Sequence, residues 1–380
     1  MRALAFALVV GALLLVSSAG AAPPGLKLLT RDDNKLALVY LDRPAPFTQP
    51  LSRKLAGTLA FSGDGRLLSI GGMIVGRKKL PTRMLAWAPI GERAAYVNTQ
   101  GGVVEWTPAG LHRLEPNGWG ATSWAGLAWS GNGALAVARG DELWVIRSGA
   151  ARRVVGPLPA NTGTGGPDIP EPFAWVGNHV LWWRWPGSGS IAADGVDLYL
   201  DRTKLGTTLM YPDYVAVCGS HLAYAAGLDR ESTDNKKLFF DGRDVSGSPH
   251  HSWSTPACTA SGRLVAAASR NDPNAFRAPH RSIWQILPTR VQLTRPPAGW
   301  SDEDPRLFAN GDLLFVRTRV TSKKTTNSWS ITQTGKVMLL ARGKLEQLTA
   351  IGFTEDELSS AFPIAYYGHY DWSHNLAVYP

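Results

Sequence analysis

One pattern returns along this chain, and it limits the fold more than any single residue does. A short apolar strand ends on an aromatic, a small polar turn follows, and a second apolar strand leaves the turn. The clear copies are LAFSGDGRLL (59–68), LAWAPIGERAAYV (85–97), LAWSGNGALAVA (127–138) and FAWVGNHVLWW (173–183). Weaker copies are VAVCGSHLAYA (215–225), PACTASGRLVAAA (256–268), PRLFANGDLLFVR (305–317) and YDWSHNLAVY (370–379). The residues that align at the end of the first strand are Phe61, Trp87, Trp129, Trp175, Val217, Cys258, Phe308 and Trp372, at intervals of 26, 42, 46, 42, 41, 50 and 64. Most of these intervals match the length of one four-stranded repeat unit.

Each copy has a physical logic. Gly63-Asp64-Gly65, Gly131-Asn132-Gly133 and Asn310-Gly311 supply the positive φ angles of tight hairpins. The flanking strands are apolar on both faces, as strands packed on two sides must be. A second hairpin with alternating polar and apolar residues follows the first, as in VVEWTPAGLHRL (103–114), ELWVIRSGAARRVV (142–155) and KVMLLARGKLEQLT (336–349). That alternation suits half-exposed outer strands. At the ends, KLALVYLDRPAPFTQPL (35–51) reads as a second hairpin without its first, and Trp372–Tyr379 as a first without its second. Joined, they complete one unit and remove two open sheet edges. The expected fold is therefore all-β, a β-propeller of four-stranded blades closed by N- and C-terminal strands. Eight blades are counted. Seven is the alternative, because the 26-residue first interval leaves only Met73-Ile74-Val75 for a third strand. Two packed β-sandwiches are the competing architecture.

Composition agrees with strand-rich packing: 44% hydrophobic residues, 15 Trp, 40 Gly and 26 Pro. The chain opens with Arg2, an uncharged apolar run from Leu4 to Val16, and Ala19-Gly20-Ala21. This reads as a signal peptide over 1–21, cleaved before Ala22, leaving 22–380 as a single propeller domain. An uncleaved anchor is the alternative, but the run is shorter than the ~20 residues a bilayer needs. No later segment is long and apolar enough to span, so a periplasmic or secreted monomer is expected. Cys218 and Cys258 are the only cysteines. An oxidising compartment permits a bond between them, and two buried thiols are the other reading.

LAFSGDGRLL, LAWSGNGALAVA, PRLFANGDLLFVR and YDWSHNLAVY resemble the propeller repeat of the TolB-like, WD-type family. Phe61-Ser62, Trp129-Ser130 and Trp372-Ser373 match its aromatic-Ser pair, and Gly63-Asp64-Gly65 its Asp-Gly turn, with Gly in place of the usual Pro. The resemblance implies the blade architecture only. TolB carries an α/β domain before its propeller, and prolyl oligopeptidase relatives add a hydrolase domain. No such segment is seen here, so their partners and chemistry do not transfer.

No G-x-S-x-G elbow, H-E-x-x-H, paired C-x-x-C, P-loop or strand-to-helix G-x-G-x-x-G occurs, and no metal or other cofactor is expected. His250-His251 with His280 are read as loop histidines rather than a metal site. Asp302-Glu303-Asp304 before Pro305 is a calcium or channel-mouth carboxylate candidate, but a solvated connection is the favoured reading, and likewise for Asp194 and Asp197. In LWWRWPGSG, alternation puts Trp183 and Trp185 on one face and Trp182 and Arg184 on the other. An exposed Trp pair could stack on sugar rings or clamp a peptide, although packing between blades is the commoner use. Polar inserts at 156–172, 227–237, 270–282 and 319–328 read as face loops, the last three rich in Arg and Lys. The formal charge is +9, which favours anionic envelope polymers over nucleic acid in an exported protein. The binding candidates are thus Trp183, Arg184, Trp185, Arg281, Lys323 and Lys324. The expected function is non-enzymatic binding of a protein, peptide or glycan through face loops. The alternatives are a lyase or hydrolase acting on an envelope carbohydrate with His250, Arg281 and Asp302 converging, and a structural envelope protein.

Overall fold

The structure, a computed structural model, describes residues 27–32, 35–40, 47–50, 58–75, 80, 85–116, 119, 126–159, 169–184, 196–208, 214–227, 236–247, 250–270, 280–324, 328–358 and 376–379. All regular elements among them are strands. The first three are β1 (Lys27–Asp32), β2 (Lys35–Tyr40) and β3 (Phe47–Pro50). Blade 1 has three strands, β4 (Leu59–Phe61), β5 (Leu68–Ile70) and the two-residue β6 (Met73–Ile74). Blade 2 holds β7 (Ala86–Trp87), β8 (Ala94–Val97), β9 (Val103–Thr107) and β10 (Gly110–Arg113). Blade 3 holds β11 (Leu127–Trp129), β12 (Leu135–Arg139), β13 (Glu142–Arg147) and β14 (Ala150–Val155). Blade 4 holds β15 (Glu171–Val176), β16 (His179–Arg184), β17 (Val196–Leu200) and β18 (Thr203–Thr208). Blade 5 holds β19 (Val215–Cys218), β20 (His221–Ala226), β21 (Lys237–Phe240) and β22 (Arg243–Asp244). Blade 6 holds β23 (His251–Cys258), β24 (Leu264–Arg270), β25 (Ser282–Leu287) and β26 (Val291–Gln292). The terminal sheet holds β27 (Ser301–Leu307), β28 (Leu313–Lys324), β29 (Ser328–Ala341) and β30 (Lys344–Leu358), then β1, β2, β3 and β31 (Leu376–Tyr379).

The sheets follow one another around a ring. The first strands of successive sheets are neighbours: β31 with β4, β7 with β11, β11 with β15, β15 with β19, β19 with β23, and β23 with β27. Apolar clusters fill the gaps between sheets, such as Ala136, Leu143, Val180 and Trp182 between blades 3 and 4, or Leu181, Leu198, Leu222 and Tyr224 between blades 4 and 5. Second strands are buried on both faces, with β12, β20 and β24 nearly continuous in buried Ala, Val and Leu. Small side chains there let neighbouring sheets approach closely. Fourth strands are more exposed, as in β14, where Ala150, Arg152 and Arg153 meet solvent and only Val154 and Val155 are buried.

The chain forms a β-propeller with seven hydrogen-bonded sheets, rather than the eight blades counted from the repeats. The reason lies at the ends. A single parallel pair, Asp32 with Gly352, ties β1 to β30 and merges the last repeat with the closing unit. The ends do meet, but with a division of three strands to one. β31 pairs with β1, from Lys27↔Tyr379 to Thr30↔Leu376, and β2 and β3 follow outward. The sequence reading missed β1 and assigned two strands to each end. Trp372 lies outside the described residues, as does the segment 1–21 expected to be a leader.

Pairing also corrects one aligned position. Trp129 faces Leu135, Cys258 faces Leu264, and Leu307 faces Leu313. Leu307, not Phe308, therefore occupies the aromatic's place in the last repeat. The following residue shapes the turn. The Ser62 hydroxyl accepts from Leu67 N–H (2.9 Å) and donates to Asp64 Oδ1 (2.7 Å), and Ser130 does the same with Ala134 N–H (2.8 Å) and Asn132 Oδ1 (2.7 Å).

The aromatics of the repeat link blade to blade. Trp129 Nε1 donates to the Ala86 carbonyl of blade 2 (3.1 Å), and Trp175 Nε1 to the Ala128 carbonyl of blade 3 (2.9 Å). Trp87 Nε1 reaches Ser69 Oγ of blade 1 (2.9 Å). Farther out, Arg202 Nε donates to Val154 O of blade 3 (3.0 Å), and Arg290 donates to Val245 and Ser246 carbonyls of blade 5. Each donor reaches back one sheet, and all but Trp87 satisfy a backbone carbonyl there. At the ring closure, Tyr379 lies against Phe61 (5.9 Å between centroids), and Lys27 Nζ donates to Gly65 O (3.0 Å).

Replacing Trp175 by Phe keeps most of the packing but strands the Ala128 carbonyl. It should lower stability by about 1–3 kcal/mol in denaturant unfolding. Gly65 has φ +66°, and a Cβ there would sit 2.6 Å from the Tyr379 ring. Gly65→Ala should cost more than about 1 kcal/mol and speed amide exchange of 376–379 specifically. Unchanged exchange there would contradict this account of the closure.

Candidate functional site

The two ends of the ring differ. In each antiparallel four-stranded blade, the first and third hairpin turns lie at one end, and the second turn and the link to the next blade lie at the other. The first end carries tight turns with residues at positive φ, including Ser148, Asp201, Asp241 and Arg342. The connections 156–170, 185–195, 227–236 and 271–281 all leave from the second end, which topology alone dictates. Three of the four inserts singled out from sequence thus share one face. The fourth, 319–328, is strand wherever it is described. Residues 319–324 and 328–335 continue β28 and β29 as a paired ladder, Arg319↔Thr334 to Lys324↔Trp329, with β30 alongside to Leu358. Charged and β-branched residues suit an extended edge, and Lys323 and Lys324 are exposed on it at the same end of the ring.

Trp183, the described one of the two tryptophan candidates, is packed inside its blade. Trp183 is 6% exposed, stacked on Phe173 at 4.1 Å, and its Nε1 donates to Glu171 Oε2 (2.9 Å). Trp182 stacks on Tyr199 at 4.4 Å and donates to Asp201 O (2.6 Å). Arg184 closes β16 opposite Asp197. Trp185 and Asp194 lie outside the described residues. Asp197 is not solvated: it is 4% exposed, accepting from Thr207 Oγ1 (3.0 Å) and Lys204 Nζ (2.9 Å).

The acidic triplet gives the largest departure. Asp302, Glu303 and Asp304 are 0%, 3% and 2% exposed, inside β27 rather than in a solvated connection. Burial is possible because cations accompany them. Arg317 grips Asp302 with two bonds (2.6 and 2.9 Å), and Arg281 Nη1 reaches Glu303 Oε1 across the blade 6 boundary (2.8 Å). Asp302 N–H donates to Arg281 O (3.0 Å), and Asp304 N–H to Thr255 Oγ1 (3.3 Å). Burial disfavours the Arg281 charge, but Glu303, Tyr214 and Asp304 outweigh it and hold the guanidinium above its ordinary pKa. Arg281 is therefore a buried structural cation and not a surface contact.

Two backbone features at this seam escaped the sequence reading. Thr255 and Asp304 both precede proline, both have positive φ (39° and 49°), and both sit in β-bulges where β23 and β27 lose register with their partners. Non-glycine residues seldom hold that conformation, least of all a β-branched one. The signal was the pair of dipeptides Thr255-Pro256 and Asp304-Pro305 at equal distance before their hairpins. Also unforeseen are two clasps at the tight-turn end: His179 Nδ1 with Asp201 Oδ2 (2.6 Å) and His221 Nδ1 with Asp241 Oδ2 (2.7 Å). Both aspartates also accept a strand N–H, Val180 and Leu222 (2.9 Å each), so each pair braces a hairpin. Cys218 and Cys258 are bonded to each other, Cα atoms 5.7 Å apart.

Comparison with known proteins assigns the chain to no family. No family model matches the chain, and no curated protein matches it. Among solved structures, the β-propeller domain of the Trilobed protease from Pyrococcus furiosus is 9% identical with a TM-score of 0.41, covering 87% of this chain and 97% of that one. PorZ, a surface component of the type-IX secretion system of Porphyromonas gingivalis, is 13% identical with a TM-score of 0.35, over 88% of this chain and 44% of that one. The Dos1 propeller is 11% identical with a TM-score of 0.37, over 89% and 95%. The TolB-like resemblance therefore rests on the repeat residues alone.

The remaining histidines are separate. His280 Nδ1 lies 2.7 Å from Trp300 O, and His250 is exposed. His251 lies against Trp253 and Trp284. Burial first, and then Arg270, Arg290 and His250, hold its pKa below the ordinary 6.5. A base whose folded pKa is depressed stabilises the fold above its unfolded pKa and loses that contribution as the pH falls. Stability should thus decline as pH drops below 6.5, and His251→Gln should flatten that decline in urea unfolding at pH 7 and pH 5. Parallel losses in both proteins would remove His251 as the cause.

Proposed function

We propose that this chain is an exported, non-enzymatic propeller that holds an anionic partner, a protein, peptide or envelope polymer, at the face bearing its long connections. The observation that carries this reading is the inequality of the two faces. Tight turns with positive φ leave one end no room for variable sequence, whereas the connections of 10 or more residues gather at the other. The same end carries exposed Lys323 and Lys324 on the long β28–β29 ladder. Net charge of +9 fits a partner of opposite sign. The groups an enzyme would need are used otherwise: Arg281, Asp302 and Glu303 converge, but they are buried and ion-paired to one another or to Arg317.

Capture from envelope extract tests the proposal. The variant Arg319→Glu, Lys323→Glu, Lys324→Glu should lose most of its captured partner, and raising salt from about 0.1 M to 1 M should release partner from the unaltered protein. Reversal of Arg147, Arg342 and Lys344 at the tight-turn end should change little. Equal capture by both variants would overturn the assignment of the face.

A further inference from the structure

The inner junction between blades 5 and 6 differs from those before it. At blades 2, 3 and 4 the repeat's aromatic on the first strand is Trp87, Trp129 or Trp175, and each indole donates to a group on the preceding blade. For Trp129 and Trp175 that group is the carbonyl of the residue just before the preceding blade's own tryptophan, Ala86 and Ala128. In blade 6 the same strand position, set by hairpin pairing, is Cys258. Its Sγ lies 4.0 Å from the carbonyl oxygen of Ala216, the residue just before Val217, which fills the aromatic's place in blade 5. Neither Val217 nor a bonded cysteine can donate to that carbonyl. The covalent link to Cys218 spans the gap instead, in the place where an indole would cross it.

We infer that the Cys218–Cys258 disulfide is a covalent replacement for the indole–carbonyl lock, and that it makes the junction of blades 5 and 6 a redox-sensitive seam in the ring, whatever the ring binds. Reduction by an external dithiol transfers two electrons and two protons. The S–S bond breaks, two protein thiols form, and the reductant becomes its own disulfide. Access exists: Cys218 is only half-buried and is followed by exposed Gly219 and Ser220 at the tight-turn end. What then holds the inner edge is the apolar cluster of Ala223, Leu238, Trp253, Leu264 and Ile286, with Arg290 bridging farther out. At the Ala216 carbonyl the only side-chain donor among the described residues is then the freed Cys258 thiol, a weak one at 4.0 Å. The bond closes a 40-residue separation, long enough for its loss to loosen the segment substantially.

The test uses the full chain, expressed with its leader into an oxidising compartment and purified without reductant. Mass spectrometry after alkylation should find Cys218 and Cys258 bonded to each other, and two free thiols would overturn the inference. Native-state amide exchange with and without dithiothreitol should then show residues 214–226 and 251–268 exchanging about tenfold faster or more on reduction, with 127–138 and 171–184 unchanged. Trp175→Phe should do the reverse, loosening 127–138 and 171–184 with or without reductant. Cys218→Ala with Cys258→Ala should match the reduced protein. If that variant does not fold, reduction of the native chain decides alone. Unchanged exchange at 214–226 and 251–268, or acceleration spread evenly over every sheet, would overturn the seam.

Discussion

Second strands buried on both faces impose the constraint from which the architecture follows. β12, β20 and β24 present Ala, Val and Leu to both sides, so no sheet that contains one can leave either face to water. Each sheet then needs a neighbour before it and after it. A linear stack would leave two faces uncovered at its ends. Closure into a ring leaves none, and the chain achieves it by placing β1 between β31 and β2.

Burying sheets face to face creates a second problem, because the first strands turn one edge away from any partner strand. The chain meets it with side-chain donors that reach one sheet back: indoles on the inside, guanidinium groups on the outside. Where the indoles stop, other devices take over. Thr207 and Gly227 exchange two backbone bonds between blades 4 and 5, and Arg281 and Glu303 bind blade 6 to the terminal sheet. The charged seam is costly to assemble, since two guanidinium groups and the acidic triplet leave water, and removing one partner of either ion pair would leave the other buried without it.

The repeat was legible because periodic burial and positive-φ turns are local properties. Phe61, Trp87, Trp129, Trp175, Val217 and Cys258 occupy equivalent places, and the short third strand at Met73–Ile74 is present. What could not be read were relations between segments far apart in sequence. β1 looks like any polar-apolar segment until β31 lies beside it. Asp302-Glu303-Asp304 looks solvated because Arg281 and Arg317, which permit its burial, are 15 or more residues away. Trp183 looks free to bind until Phe173 and Glu171 cover it. Residues 319–328 look like a loop because Thr, Ser and Lys are polar, although β-branched residues on an extended edge need no core.

A ring of nearly equivalent wedges has no preferred rotational setting of its own, so a ligand wider than one wedge could seat itself in several orientations. The terminal sheet breaks that degeneracy. Its strands β28, β29 and β30 run for 12, 14 and 15 residues, and the added six residues of β28 rise on the order of 20 Å past the rim. A molecule docked on this end would meet a strand extension that no other sheet carries among the described residues, and so would be oriented in azimuth as well as held.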